Sequence, residues 1–142
     1  MSNLPMEFQS HAQADKNFED AWVVTSGKNQ THCAIPPEFG GSGGGFSPED
    51  LFLQAAINCF IGTFKVMTKM SRINFETLEV KGSLVVDKNS IGKTVMKSIH
   101  LEIMIGQVER PERTEAIALK AIKEGFILNS LNSEITHSIK IL

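Results

Sequence analysis

This sequence is poor in cysteine and carries little net charge, and each shortage narrows the kind of protein that it encodes. Its 142 residues include only two cysteines, Cys33 and Cys59, which is too few for the disulfide framework of a small secreted domain. The formal net charge of −2 provides no electrostatic reason for binding nucleic acid or an anionic membrane surface. We therefore expect two free thiols in a protein of the reducing cytoplasm.

Membrane-spanning segments, leader segments and metal-ligand spacings are also missing from the pattern. No apolar run approaches the ~20 residues that a bilayer requires, and no signal-peptide pattern precedes the first polar residues. The four histidines do not have the spacing of zinc ligands. These features predict a soluble cytoplasmic protein that binds no metal, cofactor, nucleic acid or membrane.

Two periodicities divide the chain into strands and helices. Alternation of apolar and polar residues predicts an N-terminal β region over residues 1–36, a β-hairpin over 75–107 and a final strand over 134–142. Helical periodicity predicts a central helix over residues 47–72 and a second helix over 111–125. The first β region holds three predicted strands, at residues 6–10, 22–25 and 31–35. We predict one α+β domain that includes all 142 residues.

A glycine-rich run at residues 40–45 leads directly into the central helix. A phosphate-binding loop of this kind is followed by Lys and Ser or Thr, whereas two carboxylates, Glu49 and Asp50, follow here. We therefore interpret the run as a flexible loop that packs close to another backbone. Ser47 suits the N-cap and Pro48 suits the first helical position, so the helix is expected to begin there.

Cys59 lies in the middle of the central helix, within a stripe of small residues at three- and four-residue spacing. Such a stripe permits close approach of another backbone, so we expect it to pack against a symmetry mate. Cys59 is too far from the helix N-terminus for the dipole to activate its thiol, and its same-face neighbours are uncharged. From these residues alone, Cys59 is more typical of an inert buried thiol, unless another segment or chain activates it.

Residues 41–52, GSGGGFSPEDLF, followed by AAINCF at residues 55–60, resemble the signature of the OsmC/Ohr family. The shared pattern is a glycine loop, then Ser-Pro-Glu-x-Leu, an alanine-rich turn and a cysteine. The resemblance implies two β-sheets wrapped around long central helices in an intertwined homodimer. It also implies a thiol-dependent peroxidase that reduces organic hydroperoxides, uses a thiol reductant and responds to oxidative stress.

The resemblance implies a catalytic role for Cys59, the attacking cysteine, and for Glu49, which orients an activating arginine. Ten residues of straight helix span about 15 Å, so Glu49 requires a bridging cation to act on Cys59. The alternative for Glu49 is a carboxylate that only complements the helix dipole. Cys33 is either a buried thiol of the sheet or a partner for Cys59 in a disulfide.

Two positions differ from the family pattern. Phe126 is aligned with the family's resolving cysteine, and residues 1–71 contain no arginine to activate the thiol. These differences support an alternative function, a non-catalytic OsmC-like dimer that binds a small apolar ligand in a cleft made more apolar by Phe126.

Overall fold

The computed structural model describes residues 3–142, in which strands and helices follow the order β-β-β-α-β-β-α-α-β. The strands are β1 (His11–Gln13), β2 (Trp22–Ser26), β3 (Asn29–Cys33), β4 (Thr77–Lys88), β5 (Thr94–Gly106) and β6 (Glu134–Ile141). The helices are α1 (Pro48–Ser71), α2 (Pro111–Glu124) and α3 (Phe126–Ser130), with a 3-10 helix at Pro37–Phe39. The predicted central helix, hairpin, second helix and final strand are confirmed, whereas α3 was not predicted.

The chain forms two compact units, one that extends to Leu51 and one that comprises Phe52–Leu142. In the first unit, β1, β2 and β3 form an antiparallel sheet in that order. The strand predicted at residues 6–10 is wrong, because pairing with β2 begins only at His11, opposite Thr25. Ser10 meets Ser26, the last residue of β2, through a hydrogen bond between their hydroxyls at 2.6 Å, and residues 6–9 extend beyond that strand, where the chain turns at Gly27.

The glycine-rich loop of the first unit packs tightly against β3. The Phe46 N–H donates a hydrogen bond to the His32 carbonyl oxygen at 2.8 Å, and the Ala34 N–H donates one to the Phe46 carbonyl oxygen at 3.0 Å. A Cβ atom at Gly45 would lie 2.8 Å from that same His32 oxygen, so a side chain is excluded there. The interpretation of this loop as one that packs close to another backbone is therefore confirmed.

In the second unit, β5 is the central strand of a three-stranded sheet. It pairs antiparallel with β4 and parallel with β6, and the parallel arrangement requires the crossover that α2 and α3 supply. The side of β5 that faces α1 and α2 consists of fully buried residues, since apolar side chains alternate along the strand. These residues are Ile99, Leu101, Ile103 and Ile105.

Helix α1 packs closely on β4. A Cβ atom at Gly82 would lie 2.9 Å from Ile57 Cδ1 and 3.0 Å from Leu53 Cδ1, so glycine in this strand leaves room for the helix. The side of α1 that is buried in the core is the line of Ala56, Phe60, Phe64 and Thr68.

The remaining surface of α1 is apolar and largely uncovered in the single chain. Val66 is 59% exposed and Met70 is 79% exposed. By length and composition alone, this helix is long and apolar enough to cross a membrane. Only 22% of its most apolar stretch is buried within the single chain. The prediction that no apolar segment approaches that length was therefore wrong for α1. Contact between α1 and a symmetry mate stays a prediction.

Candidate functional site

The Cys59 thiol lies against the junction of α2 and α3. A Cβ atom built at Gly125 would lie 2.7 Å from Cys59 Sγ, 3.1 Å from the Ala121 carbonyl oxygen and 3.4 Å from Leu128 Cδ1. Cys59 itself is only partly buried, and its side chain packs at the edge of the hydrophobic core. The sulfur thus has the Gly125 backbone on one side, in a residue that is half-buried as a whole.

Gly125 is buried between α2 and α3, and its backbone continues from one helix to the next. Its N–H donates to the Ala121 carbonyl oxygen at 3.0 Å, and its own carbonyl oxygen accepts from the Asn129 N–H at 2.9 Å. Its φ of −60° and ψ of 132° are accessible to any residue. A side chain at this position would therefore have to displace the Cys59 sulfur.

The residue that faces the thiol is Gly125, whereas the sequence had placed Phe126 there. The Phe126 side chain is 63% exposed. The predicted alignment is therefore wrong by one residue. Where α2 ends and α3 begins, Gly125 points toward the thiol and Phe126 points away from it. Gly125 could have indicated this arrangement, because a glycine at the end of a predicted helix marks where the helix stops.

Ser47 and Asp50 cap the start of α1 reciprocally. The Ser47 N–H donates to Asp50 Oδ2 at 3.0 Å, and the Asp50 N–H donates to Ser47 Oγ at 3.0 Å. This arrangement is a capping box formed with aspartate, and it confirms the predicted helix start. The cap does not use Glu49, so the two neighbouring carboxylates have different environments.

Glu49 has a buried carboxylate oxygen without a partner in the described part of the chain. Its Oε1 atom is inaccessible to solvent and accepts no hydrogen bond from residues 3–142. A buried carboxylate oxygen is costly unless a donor or cation satisfies it. Helix α1 runs without interruption from Pro48 to Ser71, so ten residues separate Glu49 from Cys59, about 15 Å along the axis. The helix therefore does not bring the two predicted site residues into contact.

Cys33 is enclosed in the first unit. It is 3% exposed, pairs with Trp22 across the sheet and forms a β-bridge with Phe46. Its thiol points toward the Thr31 carbonyl oxygen, 4.0 Å from the sulfur. Both cysteines are free thiols. This environment is that of a buried thiol of the sheet, one of the two alternatives for Cys33.

A surface groove of about 300 Å³ lies beside the last turns of α1 and was not predicted from the sequence. Its lining includes neither Cys59 nor Glu49, so it is separate from the predicted site. The lining residues are Met67, Met70, Ser71, Arg113, Ala116, Ile117 and Lys120. Across residues 3–142, no three His, Cys, Asp or Glu side chains lie close enough together to hold a metal ion.

A family model described as OsmC-like protein matches residues 41–140, a range that includes the capped start of α1, the Cys59 thiol and Gly125. The chain belongs to the OsmC-like family. It is 29% identical over 108 residues to the uncharacterized Bacillus subtilis protein YmaD, which covers 76% of this chain and 72% of YmaD.

Solved structures of OsmC-like proteins share the fold. An OsmC-like protein from Vibrio cholerae superposes with a TM-score of 0.84 at 18% identity, over 94% of this chain and 99% of that protein. The organic hydroperoxide resistance protein OhrB of Bacillus subtilis superposes with a TM-score of 0.63 at 16% identity, over 96% of this chain and 98% of OhrB. The predicted family and the α+β, OsmC-like fold class are confirmed.

Proposed function

We propose that this OsmC-like protein reduces organic hydroperoxides through Cys59 and thereby protects the cytoplasm against oxidative stress. The observation that carries the proposal is the position of Cys59, a half-buried residue whose sulfur is bounded by Gly125. Among proteins with this fold, OhrB of Bacillus subtilis is named as an organic hydroperoxide resistance protein. A thiol in this position can meet a peroxide oxygen from the solvent side.

The reaction begins with the Cys59 thiolate as nucleophile. Its sulfur attacks the outer oxygen of the hydroperoxide, a new S–O bond forms, and the O–O bond breaks. The alkoxide leaving group takes a proton and departs as the alcohol, so the peroxide is reduced and Cys59 is oxidised to a sulfenic acid. The catalytic group in this step is the Cys59 thiolate alone.

Regeneration of Cys59 uses a thiol from another molecule. This thiol condenses with the sulfenic acid to give a mixed disulfide and water, and a second thiol attacks that disulfide and releases Cys59. The net reaction converts one hydroperoxide and two thiols into one alcohol, one disulfide and water. The second cysteine of the chain, Cys33, is 3% exposed and takes no part.

Glu49 has a positioning role in this proposal. Its buried, unpaired oxygen requires a cation or a hydrogen-bond donor, and that group has to bridge the distance of about 15 Å along α1 that separates Glu49 from Cys59. Lys16 and Lys28 are the only lysine or arginine residues that precede α1. We propose that one of them, or a basic side chain of a second copy, satisfies Glu49.

We propose that the functional protein is a homodimer that assembles through α1. The apolar surface of α1 around Val66 and Met70 is exposed in the single chain, and a second copy of the same helix would remove it from water. Burial of this surface in a dimer also accounts for an apolar helix in a soluble protein. We propose that α1 is the central helix of the dimer and not a membrane span.

Turnover of cumene hydroperoxide with several thiol reductants tests the function. We expect activity in the wild type and in Cys33→Ala, and loss of at least a hundredfold in Cys59→Ser. The Cys33→Ala variant is the matched control, because it also removes one thiol but leaves α1 unchanged. Equal activity of Cys59→Ser and wild type with every reductant would refute the proposal.

A non-catalytic OsmC-like dimer that binds a small apolar ligand is the second candidate. The specific observation in its favour is that α3 exposes Phe126 and Ile127, at 63% and 41%, immediately after Gly125. Native mass spectrometry of the purified protein separates the two functions. A retained apolar ligand, together with no peroxide turnover, supports this second function.

A further inference from the structure

The groove between the last turns of α1 and one side of α2, here called the α1–α2 groove, combines apolar side chains with two cations. The cations are Arg113 and Lys120, both from α2. The apolar lining comes from both helices and consists of Met67, Met70, Ala116 and Ile117. We propose that this groove binds a small amphipathic carboxylate: Arg113 holds the charged end, and the alkyl chain lies against the methionines. The proposal goes beyond the peroxidase function and does not depend on the Cys59 thiol.

Two helical stripes form the α1–α2 groove. Its α2 residues recur at spacings of three, four and seven, so they lie on one side of that helix: Arg113, Ala116, Ile117 and Lys120. Met67, Met70 and Ser71 have the three- and four-residue spacing at the end of α1. The two cations are separated by about 10 Å along the α2 axis. Because the octanoate chain has a similar length, it can lie along the stripe with its charged end at Arg113.

Arg113 is the groove cation that is free to bind an anion. Over residues 3–142, the ion pairs of the chain do not include Arg113. Lys120 lies 4.0 Å from Glu124, but both side chains are more than half exposed, so this pair is weak. The planar guanidinium of arginine matches a carboxylate through two parallel hydrogen bonds, whereas a lysine acts as a point charge. Arg113 therefore holds the carboxylate, and Lys120 adds a second positive charge.

The C-terminus of α1 does not account for these two cations. The Ile73 N–H donates a hydrogen bond to the Thr68 carbonyl oxygen at 2.9 Å. The Arg72 N–H donates one to the Lys69 carbonyl oxygen at 3.2 Å, and the φ of 56° at Arg72 is the left-handed conformation of this type of helix end. A helix C-terminus carries only about half a negative charge, and Lys69 already lies in the last turn. The groove cations are therefore available to an external anion.

The apolar lining and the size of the groove suit a short alkyl chain. Methionine side chains are flexible and polarisable, so they adapt to the shape of a chain. The groove volume of about 300 Å³ lies at the lower end of the range of roughly 300–1,000 Å³ for small-molecule sites. Ala116 is exposed and small, so it leaves the space between the helices open. A single medium-length chain fits this description better than a lipid with two chains.

A second copy of the chain is the other occupant to consider, because Met70 also belongs to the α1 surface that we propose for the dimer. In a two-fold symmetric contact, the same patch of each copy meets its own image. A contact centred on the α1–α2 groove would therefore bring Arg113 and Lys120 of both copies together, and like charges in an interface are costly. The groove is better matched to a small anion than to its own copy.

Titration with octanoate, followed by NMR of isotope-labelled methionine methyl groups, tests the proposal. We expect saturable shifts of the Met67 and Met70 signals. Met96 and Met104 of β5 do not line the groove, so their signals should stay in place and provide controls in the same spectrum. Acetate lacks the chain, octanol lacks the charge and octylammonium has the opposite charge, and each should bind at least tenfold more weakly. Equal affinity for octanol and octanoate, or shifts that do not saturate, would refute a carboxylate site.

Substitutions on α2 locate the two ends of the ligand. Arg113→Gln should weaken octanoate binding about fivefold and Lys120→Gln about twofold. Arg110→Gln is the matched control, because it removes an arginine at the start of the same helix but outside the groove lining, and it should leave the affinity unchanged. Ala116→Leu fills the groove without a change in charge and should abolish the saturable shifts. Wild-type affinity in Arg113→Gln would contradict the proposal.

Sedimentation velocity of the same proteins separates the two occupants. We expect wild type, Arg113→Gln and Ala116→Leu to have equal sedimentation coefficients, and octanoate to leave that of the wild type unchanged. If a second copy fills the groove, Arg113→Gln and Ala116→Leu will instead change the sedimentation coefficient, and octanoate will cause no saturable methyl shift. That combination would refute the small-molecule site.

Discussion

The contact between Cys59 and Gly125 predicts energetic coupling between two residues that are far apart in the sequence. The perturbation is a double-mutant cycle that combines Gly125→Ala with Cys59→Ala. In the wild-type background, the new methyl group would lie 2.7 Å from Cys59 Sγ and 3.1 Å from the Ala121 carbonyl oxygen. Both distances are shorter than ordinary van der Waals contact, so the sulfur or the helix junction must move.

The magnitude follows from two opposing effects. Overpacking of a well-packed site costs about 1–3 kcal/mol, whereas Gly→Ala at a permitted φ and ψ gains about 0.4–1 kcal/mol through the unfolded chain. We therefore expect Gly125→Ala to lower the free energy of unfolding by roughly 0.5–2 kcal/mol. In the Cys59→Ala background the sulfur is gone and only the 3.1 Å contact with the Ala121 carbonyl oxygen remains, so the same change should cost less stability. The expected coupling energy is about 1–2 kcal/mol.

Urea denaturation followed by far-UV circular dichroism measures the free energy of unfolding of the wild type, the two single variants and the double variant. All four are measured at the same protein concentration, because the stability of an oligomer depends on concentration. Equal m-values indicate that the four unfold with similar changes in exposed surface. If the changes in the free energy of unfolding of the two single variants sum to that of the double variant within about 0.3–0.5 kcal/mol, the sulfur does not constrain position 125. That result would refute the steric argument.

Three further predictions concern other parts of the chain. Glu49→Gln should lower peroxide turnover at least tenfold without loss of helix content. Asp50→Ala should lower the free energy of unfolding by about 1 kcal/mol, because it removes the capping box, and should retain activity. The reverse pattern would contradict the positioning role of Glu49 and the capping role of Asp50. Met70→Lys, which places a charge on a side chain that is 79% exposed, should shift the proposed dimer toward monomer in sedimentation velocity, and a dimer unchanged by the substitution would exclude this face as the interface. Gly82→Ala should lower the free energy of unfolding by about 1–3 kcal/mol in urea denaturation, because the new Cβ would lie too close to Ile57 and Leu53. No loss of stability would mean that these two side chains of α1 move aside at little energetic cost.

Local signals in the sequence predicted the start of α1 correctly. Ser47, Pro48 and Asp50 act within one turn, so their side chains and backbone satisfy one another without help from distant segments. The alternation in β4, β5 and β6 likewise predicted strands, because a sheet with one buried face imposes a period of two.

Features that depend on distant partners could not be predicted in the same way. Residues 6–10 alternate like a strand, but Ser10 is already opposite Ser26, the last residue of β2, so residues 6–9 have no β2 backbone to pair with. The small-residue stripe of α1 did not indicate that the larger Phe60 and Phe64 are the residues buried in the core of the chain, and its packing against a symmetry mate stays a prediction. The contact of Gly125 with Cys59 depends on where α2 ends, and an error of one residue there assigned Phe126 to the site.

The most direct test of the central claim is the chemical state of Cys59 after one equivalent of cumene hydroperoxide. The oxidised protein is trapped with dimedone, which labels sulfenic acids, and the labelled cysteine is located by peptide mass spectrometry. We predict near-stoichiometric label on Cys59, release of cumyl alcohol and an unlabelled Cys33. An unlabelled Cys59 with the hydroperoxide left intact would contradict the account.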